Sequence, residues 1–223
     1  MRISTGTRWI LTTALCGVLI TGCSSEEEGG AEEAKARTAP TAEPKPLGEG
    51  ALRPLLLSQA DLGTGYVQVQ DKADTGEFDD VAIQGCPSLE KLGEKGDEPM
   101  FASMASTGFT YDTDATIGEE LHSDRPSVLS SKLRELFGAY TDCPNYTMTA
   151  GTTPIEVKVS KSDTPELGDE QFAYTSTMEL PSGAQIVKTT AVRKGNIAVM
   201  LVGAPALVDR HIATAVDKLP AES

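Results

Sequence analysis

The sequence predicts an α+β domain, mainly an antiparallel sheet with helices packed on it, closed by one disulfide and preceded by a signal peptide and a disordered tether. Three observations lead to this prediction. Several stretches alternate apolar and polar side chains between turn residues, which is typical of antiparallel strands joined by hairpins. Two other stretches repeat their apolar residues every three or four positions, as amphipathic helices do. The first 50 residues show neither pattern.

Residues 1–22 have the features of a secretory signal peptide. Arg2 and Arg8 make the start positive, and residues 9–20 are largely apolar. A membrane-spanning helix needs about 20 apolar residues, so this stretch is too short to remain as one. It ends in the sequence LITGC, which resembles a bacterial lipobox with Cys23 as its last residue. That resemblance implies cleavage before Cys23 and lipidation of its thiol, the alternative being an ordinary secreted protein with a chance cysteine.

Lipidation of Cys23 predicts a chain held on the extracytoplasmic face of the cell membrane, with the membrane as its partner. Two acyl chains on one cysteine anchor stably, whereas one chain is marginal. Residues 23–50 are then the lipidated tether, since the part after Cys23 holds seven Glu and no aromatic residue. Such a segment buries too little apolar surface to offset its chain entropy. The folded domain is predicted to span residues 51–223.

The cysteine positions predict one disulfide. Of four cysteines, Cys16 leaves with the leader and Cys23 carries lipid, so Cys86 and Cys143 remain. Thiols in an exported compartment tend to oxidise, which favours a bond between these two. A redox pair or a metal site is the alternative, but there is no CxxC motif and neither histidine stands at ligand spacing from a cysteine.

The first half of the domain is predicted to mix short helices with strands. Ser58 is a candidate N-cap, and Gly63-Thr64-Gly65 is a turn rather than a phosphate-binding loop. The clearest helix follows Pro126, where Leu129, Leu133, Leu136, Phe137 and Tyr140 share one face before the chain reaches Cys143. The other predicted elements are short helices at 58–62 and 87–92 and strands at 66–70, 100–111 and 115–121.

The second half is predicted to be a meander that ends in a helix. Strands are expected at 155–160, 171–180, 184–193 and 196–202, with turns at Pro181-Ser182-Gly183 and Gly195-Asn196. Residues 197–202 are apolar at every position, so this strand is expected to be central and covered on both faces. The last helix is predicted at 205–219.

The charge balance excludes one class of partner. The chain carries 19 basic and 33 acidic residues, a net charge of -14. Residues 51–223 account for 14 basic and 26 acidic residues, so the domain itself has a net charge of -12. Nucleic-acid binding depends on basic residues that neutralise phosphates, so a nucleic-acid partner is not expected.

The order of these elements resembles the extracellular sensor domain of actinobacterial PknH-type serine/threonine kinases, a family that also occurs as free-standing lipoproteins. Four short motifs carry the resemblance: residues 55–62, Gly85-Cys86, residues 137–143, and 195–199 with the helix after them. It implies a disulfide-bonded sheet-and-helix domain with a cleft for an extracellular ligand. Two features depart from the family: two domain cysteines stand where many members have four, and Tyr140 stands where a Trp is usual.

Few residues suggest catalysis. Ser88-Leu89-Glu90-Lys91 matches the SxxK of penicillin-recognising enzymes, but the supporting motifs are absent and a solvated helix is the better interpretation. A Ser-His-Asp triad would need His122 or His211, and no GxSxG motif accompanies them. We therefore expect no catalytic residues.

Nor does the sequence indicate a cofactor. The acidic residues from Asp112 to Glu120 hint at calcium, but Ile117 and Ser123 stand where an EF-hand loop needs Gly and Glu. No metal site and no cofactor are predicted.

The function predicted is a non-enzymatic, sensor-like or ligand-binding domain of the cell envelope. Its ligand, a small envelope molecule or an envelope protein, and the residues that bind it are not identified by the sequence. Two alternatives remain at this point: an envelope hydrolase with an irregular active site, and a protein-interaction scaffold.

Overall fold

The computed structural model describes residues 43–69, 81–94, 99–112 and 115–221. The predicted signal peptide, Cys23 and most of the predicted tether lie outside these residues. Within the described ranges, no helix is long and apolar enough to cross a membrane.

The described strands form one nine-stranded sheet in the order β1-β3-β4-β9-β8-β7-β6-β5-β2, with every neighbouring pair antiparallel. The predicted meander is confirmed as β7, β8 and β9. Their bounds are β1 Tyr66–Val69, β2 Val81–Gln84, β3 Ser103–Tyr111, β4 Ala115–Ser123, β5 Asn145–Ala150, β6 Thr153–Lys161, β7 Glu170–Leu180, β8 Gly183–Lys194 and β9 Ile197–Gly203.

Two long helices and several short ones accompany the sheet. Each of the three longest begins with a proline, whose fixed φ suits a first helical position and whose missing N–H is not needed there. The helices are α1 Glu49–Leu52, α2 Gln59–Leu62, α3 Pro87–Gly93, α4 Pro126–Thr141 and α5 Pro205–Asp217, with a 3-10 turn at Arg53–Leu55.

The helices cover the two faces of the sheet separately, and β9 contributes to both cores. Ile197, Val199 and Leu201 point to the face covered by α5 and the short N-terminal helices. Ala198 and Met200 point to the opposite face, covered by α4. Successive side chains of a strand alternate between faces, so a strand apolar at every position is buried on both sides. The prediction of a central strand covered on both faces is confirmed.

The packed chain begins earlier than residue 51. The side-chain amide of Asn196 donates to the carbonyl of Lys45 over 2.6 Å. The backbone N–H of Leu47 donates to Ser123 Oγ over 2.9 Å. These bonds tie residues 45–47 to the ends of β4 and β9, so the last residues of the predicted tether belong to the folded domain.

The predicted disulfide is confirmed. Cys86 and Cys143 are bonded with their Cα atoms 5.7 Å apart, which joins the start of α3 to the chain just after α4. The two cysteines pack with Leu89 and Ala139 in a small core of their own.

Replacing both cysteines by alanine should lower the free energy of unfolding by about 2 to 5 kcal/mol, because the crosslink closes a loop of 57 residues. Urea denaturation followed by circular dichroism measures the change. The unsubstituted protein after reduction of the disulfide is the control, and its free energy of unfolding should fall by a similar amount. Equal stability of the oxidised protein and the double variant would contradict a structural role.

Candidate functional site

A cleft of about 600 Å³ lies between the N-terminal segment and the β1–β3 edge of the sheet. The chain from the 3-10 turn to α2, residues 53–62, forms one side and is called the N-terminal wall below. The first two strands of the sheet order form the floor, and the end of α5 reaches the rim. The lining residues are Arg53, Pro54, Leu56, Leu57, Ser58, Gln68, Val69, Ser106, Thr107 and Lys218.

The N-terminal wall is fixed at α2 by a capping box. Ser58 Oγ accepts from the N–H of Asp61, and Asp61 Oδ2 accepts from the N–H of Ser58 over 2.7 Å. This reciprocal pair satisfies backbone donors that have no partner within the helix. The sequence-based assignment of Ser58 as a helix cap is confirmed.

A salt bridge joins the same wall to the end of α5. Lys218 Nζ donates to Asp61 Oδ2 over 2.7 Å, and both side chains are about one quarter exposed. The bond to Lys218 is the largest of the effects that lower the pKa of Asp61 to about 2. Asp61 is therefore ionised at neutral pH and holds the ammonium of Lys218 at the rim of the cleft.

The floor carries a polar pair. Gln68 on β1 donates through Nε2 to Thr107 Oγ1 on β3 over 3.1 Å. Thr107 is 6% exposed. Its neighbours on the same face of β3, Ala105 and Phe109, belong to the apolar core, so Thr107 places a hydroxyl among apolar side chains. A buried hydroxyl at the base of a cleft can accept or donate to a ligand without first being ordered.

Directly beneath this floor lies a buried carboxyl. Glu119 stands opposite Thr107 in the β3–β4 pairing and is 1% exposed. Its Oε2 accepts from the backbone N–H of Leu57 over 2.5 Å, whereas its Oε1 has no hydrogen-bond partner among the described residues. Glu119 therefore binds the N-terminal wall to β4 across 62 residues of sequence.

Burial raises the pKa of Glu119 to about 7, from an ordinary value of 4.5. The Leu57 N–H favours the ionised form but does not compensate for the loss of water. The carboxyl beneath the cleft consequently changes charge close to neutral pH, where an exposed glutamate would be fully ionised.

The cleft differs in charge from the domain around it. Among the described residues, its lining contains Arg53 and Lys218 and no acidic side chain, although residues 51–223 carry a net charge of -12. Both cations have acidic partners just outside the lining, Glu49 and Asp61. An anionic group in the cleft would therefore meet two donors that are already held in place.

The residues singled out for chemistry lie elsewhere. Ser88 Oγ donates to the carbonyl of Ala139 beside the disulfide, so it does not act with Lys91 as an SxxK pair. His211 lies on the buried face of α5, with its Nε2 2.6 Å from the hydroxyl of Tyr66. His122 pairs with Glu120 on the opposite face of the sheet from the cleft. In the described part of the chain, the side-chain partner of His211 is Tyr66 and that of His122 is Glu120, and neither is a serine.

Of the residues that hint at calcium, Gly118, Glu119 and Glu120 lie on a strand, whereas Thr113 and Asp114 lie outside the described residues. Glu119 and Glu120 lie on β4 and point to opposite faces, so they do not converge on one cation. In the described part of the chain, no group of three or more His, Cys, Asp or Glu side chains is placed to hold a metal ion. Cys23 lies outside that part, and the disulfide pair Cys86 and Cys143 does not line the cleft.

The cleft residues were not predicted from the sequence. One signal was present: Glu119 alternates with Ile117 and Leu121, which places a carboxyl on the apolar face of a strand. A charged residue at such a position is rarely buried without a role or a partner. Gln68, Thr107 and Lys218 give no comparable signal.

Glu119→Gln should change how stability depends on pH. Between about pH 4.5 and 7, Glu119 is protonated in the folded protein but ionised in the unfolded chain. Folding therefore takes up a proton in this window, and the free energy of unfolding of the wild type falls as the pH rises through it. The free energy of unfolding of the variant, relative to that of the wild type, should rise by about 3 kcal/mol from pH 4 to pH 8. Urea unfolding at several pH values measures it, and parallel profiles would contradict the burial of this carboxyl.

Comparison with known proteins places the fold. No protein-family model and no curated protein matches the sequence. The extracellular domain of PknH from Mycobacterium tuberculosis matches in structure with a TM-score of 0.52 and 13% identity, over 78% of this chain and 97% of that one. An uncharacterised protein from Mycobacterium smegmatis, the Rv0999 ortholog, gives a TM-score of 0.41 and 11% identity, over 76% and 93%. The chain thus has a fold similar to that of the PknH extracellular domain, and the resemblance stated from the sequence is confirmed.

Proposed function

We propose that this chain is a membrane-anchored, extracytoplasmic lipoprotein whose domain binds a small ligand in the cleft and has no catalytic activity. The observation that carries the proposal is the cleft itself: about 600 Å³, lined by two cations and a polar floor, with a buried carboxyl beneath it. A concave site with a few fixed polar groups is the usual form of a small-molecule site.

The lining indicates the chemistry of the ligand. Arg53 and Lys218 favour a carboxylate or phosphate, and Thr107 and Gln68 offer hydrogen bonds to hydroxyl or amide groups. Leu56, Leu57 and Val69 add apolar surface. The ligand class that fits is a small acid with polar substituents and one apolar side.

An extracytoplasmic location is supported by two observations. The Cys86–Cys143 bond is of a kind that persists in oxidising compartments. The similar solved structure is the extracellular domain of PknH, which lies outside the cell. A sensor-like role for the present chain is part of the proposal.

The sequence before the domain supports the lipid anchor. Arg2 and Arg8 precede a short apolar stretch that ends in LITGC, and the acidic segment after Cys23 separates the domain from the membrane. Cys23 would carry the lipid, and the chain up to Glu43 would act as a spacer of roughly 25 Å on average.

Cys23→Ala should abolish the anchor. The variant should either appear in the soluble extracytoplasmic fraction or remain unprocessed with residues 1–22 attached, because the thiol that accepts lipid is gone. Membrane fractionation with intact-mass measurement distinguishes these outcomes from wild type. Cys16→Ala is the matched control and should remain anchored. Membrane retention of Cys23→Ala with the leader removed would refute the lipid site.

Ligand binding should follow the cleft residues. The full chain is titrated with a set of small acids, including N-acetylmuramic acid and glycerol 3-phosphate, and followed by amide NMR shifts. We expect at least one acid to shift the amides of Ser58, Gln68 and Thr107. Lys218→Met should weaken the binding of that acid at least tenfold, as expected for the loss of a charge-assisted hydrogen bond.

The control for this titration is Lys158→Met. Lys158 also pairs with a carboxylate, lying 3.7 Å from Glu179 in an exposed ion pair on the far half of the sheet, so its loss should leave binding unchanged. Shifts confined to residues outside the cleft, or equal weakening by both variants, would refute the cleft as the ligand site. Turnover of any titrated acid would refute the non-enzymatic proposal separately.

A further inference from the structure

A second cavity, on the α4 face of the sheet, gathers sulfur-bearing side chains. It has a volume of about 310 Å³, and three of the six methionines in the whole chain are among its eight lining residues. We call it the methionine pocket. Its lining consists of Pro99, Met100, Phe101, Met104, Glu120, His122, Leu136 and Met200.

Strand register brings three of these side chains together. Met104 on β3 stands directly opposite His122 on β4, and Met200 on β9 stands opposite Glu120, two residues before His122. Side chains directly opposite have Cβ atoms about 5 Å apart, and diagonal ones remain within reach of long side chains. Two thioethers therefore flank one imidazole on a single face of the sheet.

The segment before β3 adds the third thioether. The ring of Phe101 lies 4.6 Å from the ring of His122, centroid to centroid, so this segment folds back over the sheet. Lys132 on α4 donates to the carbonyl of Met100 and holds its backbone there. Met100 is thereby fixed at the mouth of the same pocket.

The imidazole is buried and oriented. His122 is 6% exposed, and its Nε2 lies 2.9 Å from Glu120 Oε2. A carboxylate that accepts from Nε2–H leaves the lone pair of Nδ1 available. Metal-binding histidines in proteins are held in this way, with a carboxylate on the other ring nitrogen.

We propose that the methionine pocket is a soft-metal site that binds Cu(I), with the sulfurs of Met100, Met104 and Met200 and the Nδ1 of His122 as ligands. Thioether and imidazole donors suit Cu(I), whereas Mg²⁺ and Ca²⁺ prefer several oxygen donors. Glu120, the carboxylate among the described lining residues, is already engaged by His122. Met104 is 48% exposed and gives the ion a path from solvent. No described residue lines both the methionine pocket and the cleft, and Thr107 and Glu119 lie on the other face of the sheet.

Titration with Cu(I) under ascorbate, and with Ag(I) as a probe that does not change oxidation state, tests the proposal. The full chain carries Cys16→Ser and Cys23→Ser so that no free thiol competes. One equivalent of metal should bind, measured by competition with a chromophoric Cu(I) chelator and by native mass spectrometry. X-ray absorption should show sulfur and nitrogen neighbours.

Isosteric variants separate a metal site from a merely apolar pocket. The double variant Met104→Leu, Met200→Leu keeps the side-chain volume and removes two sulfur atoms. It should weaken metal binding at least tenfold without lowering Tm by more than a few degrees. Met148→Leu with Met178→Leu, two methionines that pack on the same core outside the pocket, is the matched control and should bind as before. Absence of binding at one equivalent, or equal affinity in both double variants, would overturn the proposal.

Discussion

The hydrogen bond from the Leu57 N–H to the Glu119 carboxyl is the contact on which the cleft depends. It is made in a fully buried position, and it joins the N-terminal wall to the fourth strand of the chain. The wall is also held by Leu57 and Leu62, which pack in the core, and by the salt bridge from Asp61 to Lys218, whose side chains are about one quarter exposed. An exposed ion pair contributes about 0 to 1 kcal/mol, so the buried contact is the stronger constraint. The burial that strengthens this hydrogen bond also raises the free energy needed to ionise the carboxyl.

The central strand β9 explains how one sheet supports two distinct cavities. Its alternate residues enter separate cores, so α5 and α4 pack on opposite faces without touching the same side chains. On β4 the neighbouring residues Glu119 and Glu120 follow the same alternation, and each meets a different environment. Glu119 is desolvated beneath the cleft, whereas Glu120 bonds to His122, which lowers its pKa. One strand therefore supplies a carboxyl to each candidate site.

Much of the fold could be predicted because its periodicity is local. The helix after Pro126, the final helix and the three strands of the meander show patterns that a short window of sequence contains. Strands β2 and β5 were missed because they are short, four and six residues, and because they pair with each other across more than 60 positions of sequence. The cleft could not be predicted, since its contacts join Leu57 to Glu119 and Asp61 to Lys218, residues 62 and 157 positions apart. Periodicity reports which face a side chain occupies, but not which distant segment will cover that face.

The central claim is that a buried carboxyl holds the wall of the cleft and titrates close to neutral pH. Carboxyl ¹³C NMR of Glu119 in the full chain tests it most directly, with the Leu57 amide followed in the same pH series. We predict a midpoint near pH 7 for Glu119 and a change of the Leu57 amide with the same midpoint. A midpoint near 4.5, or a Leu57 amide that does not respond when Glu119 titrates, would contradict the account.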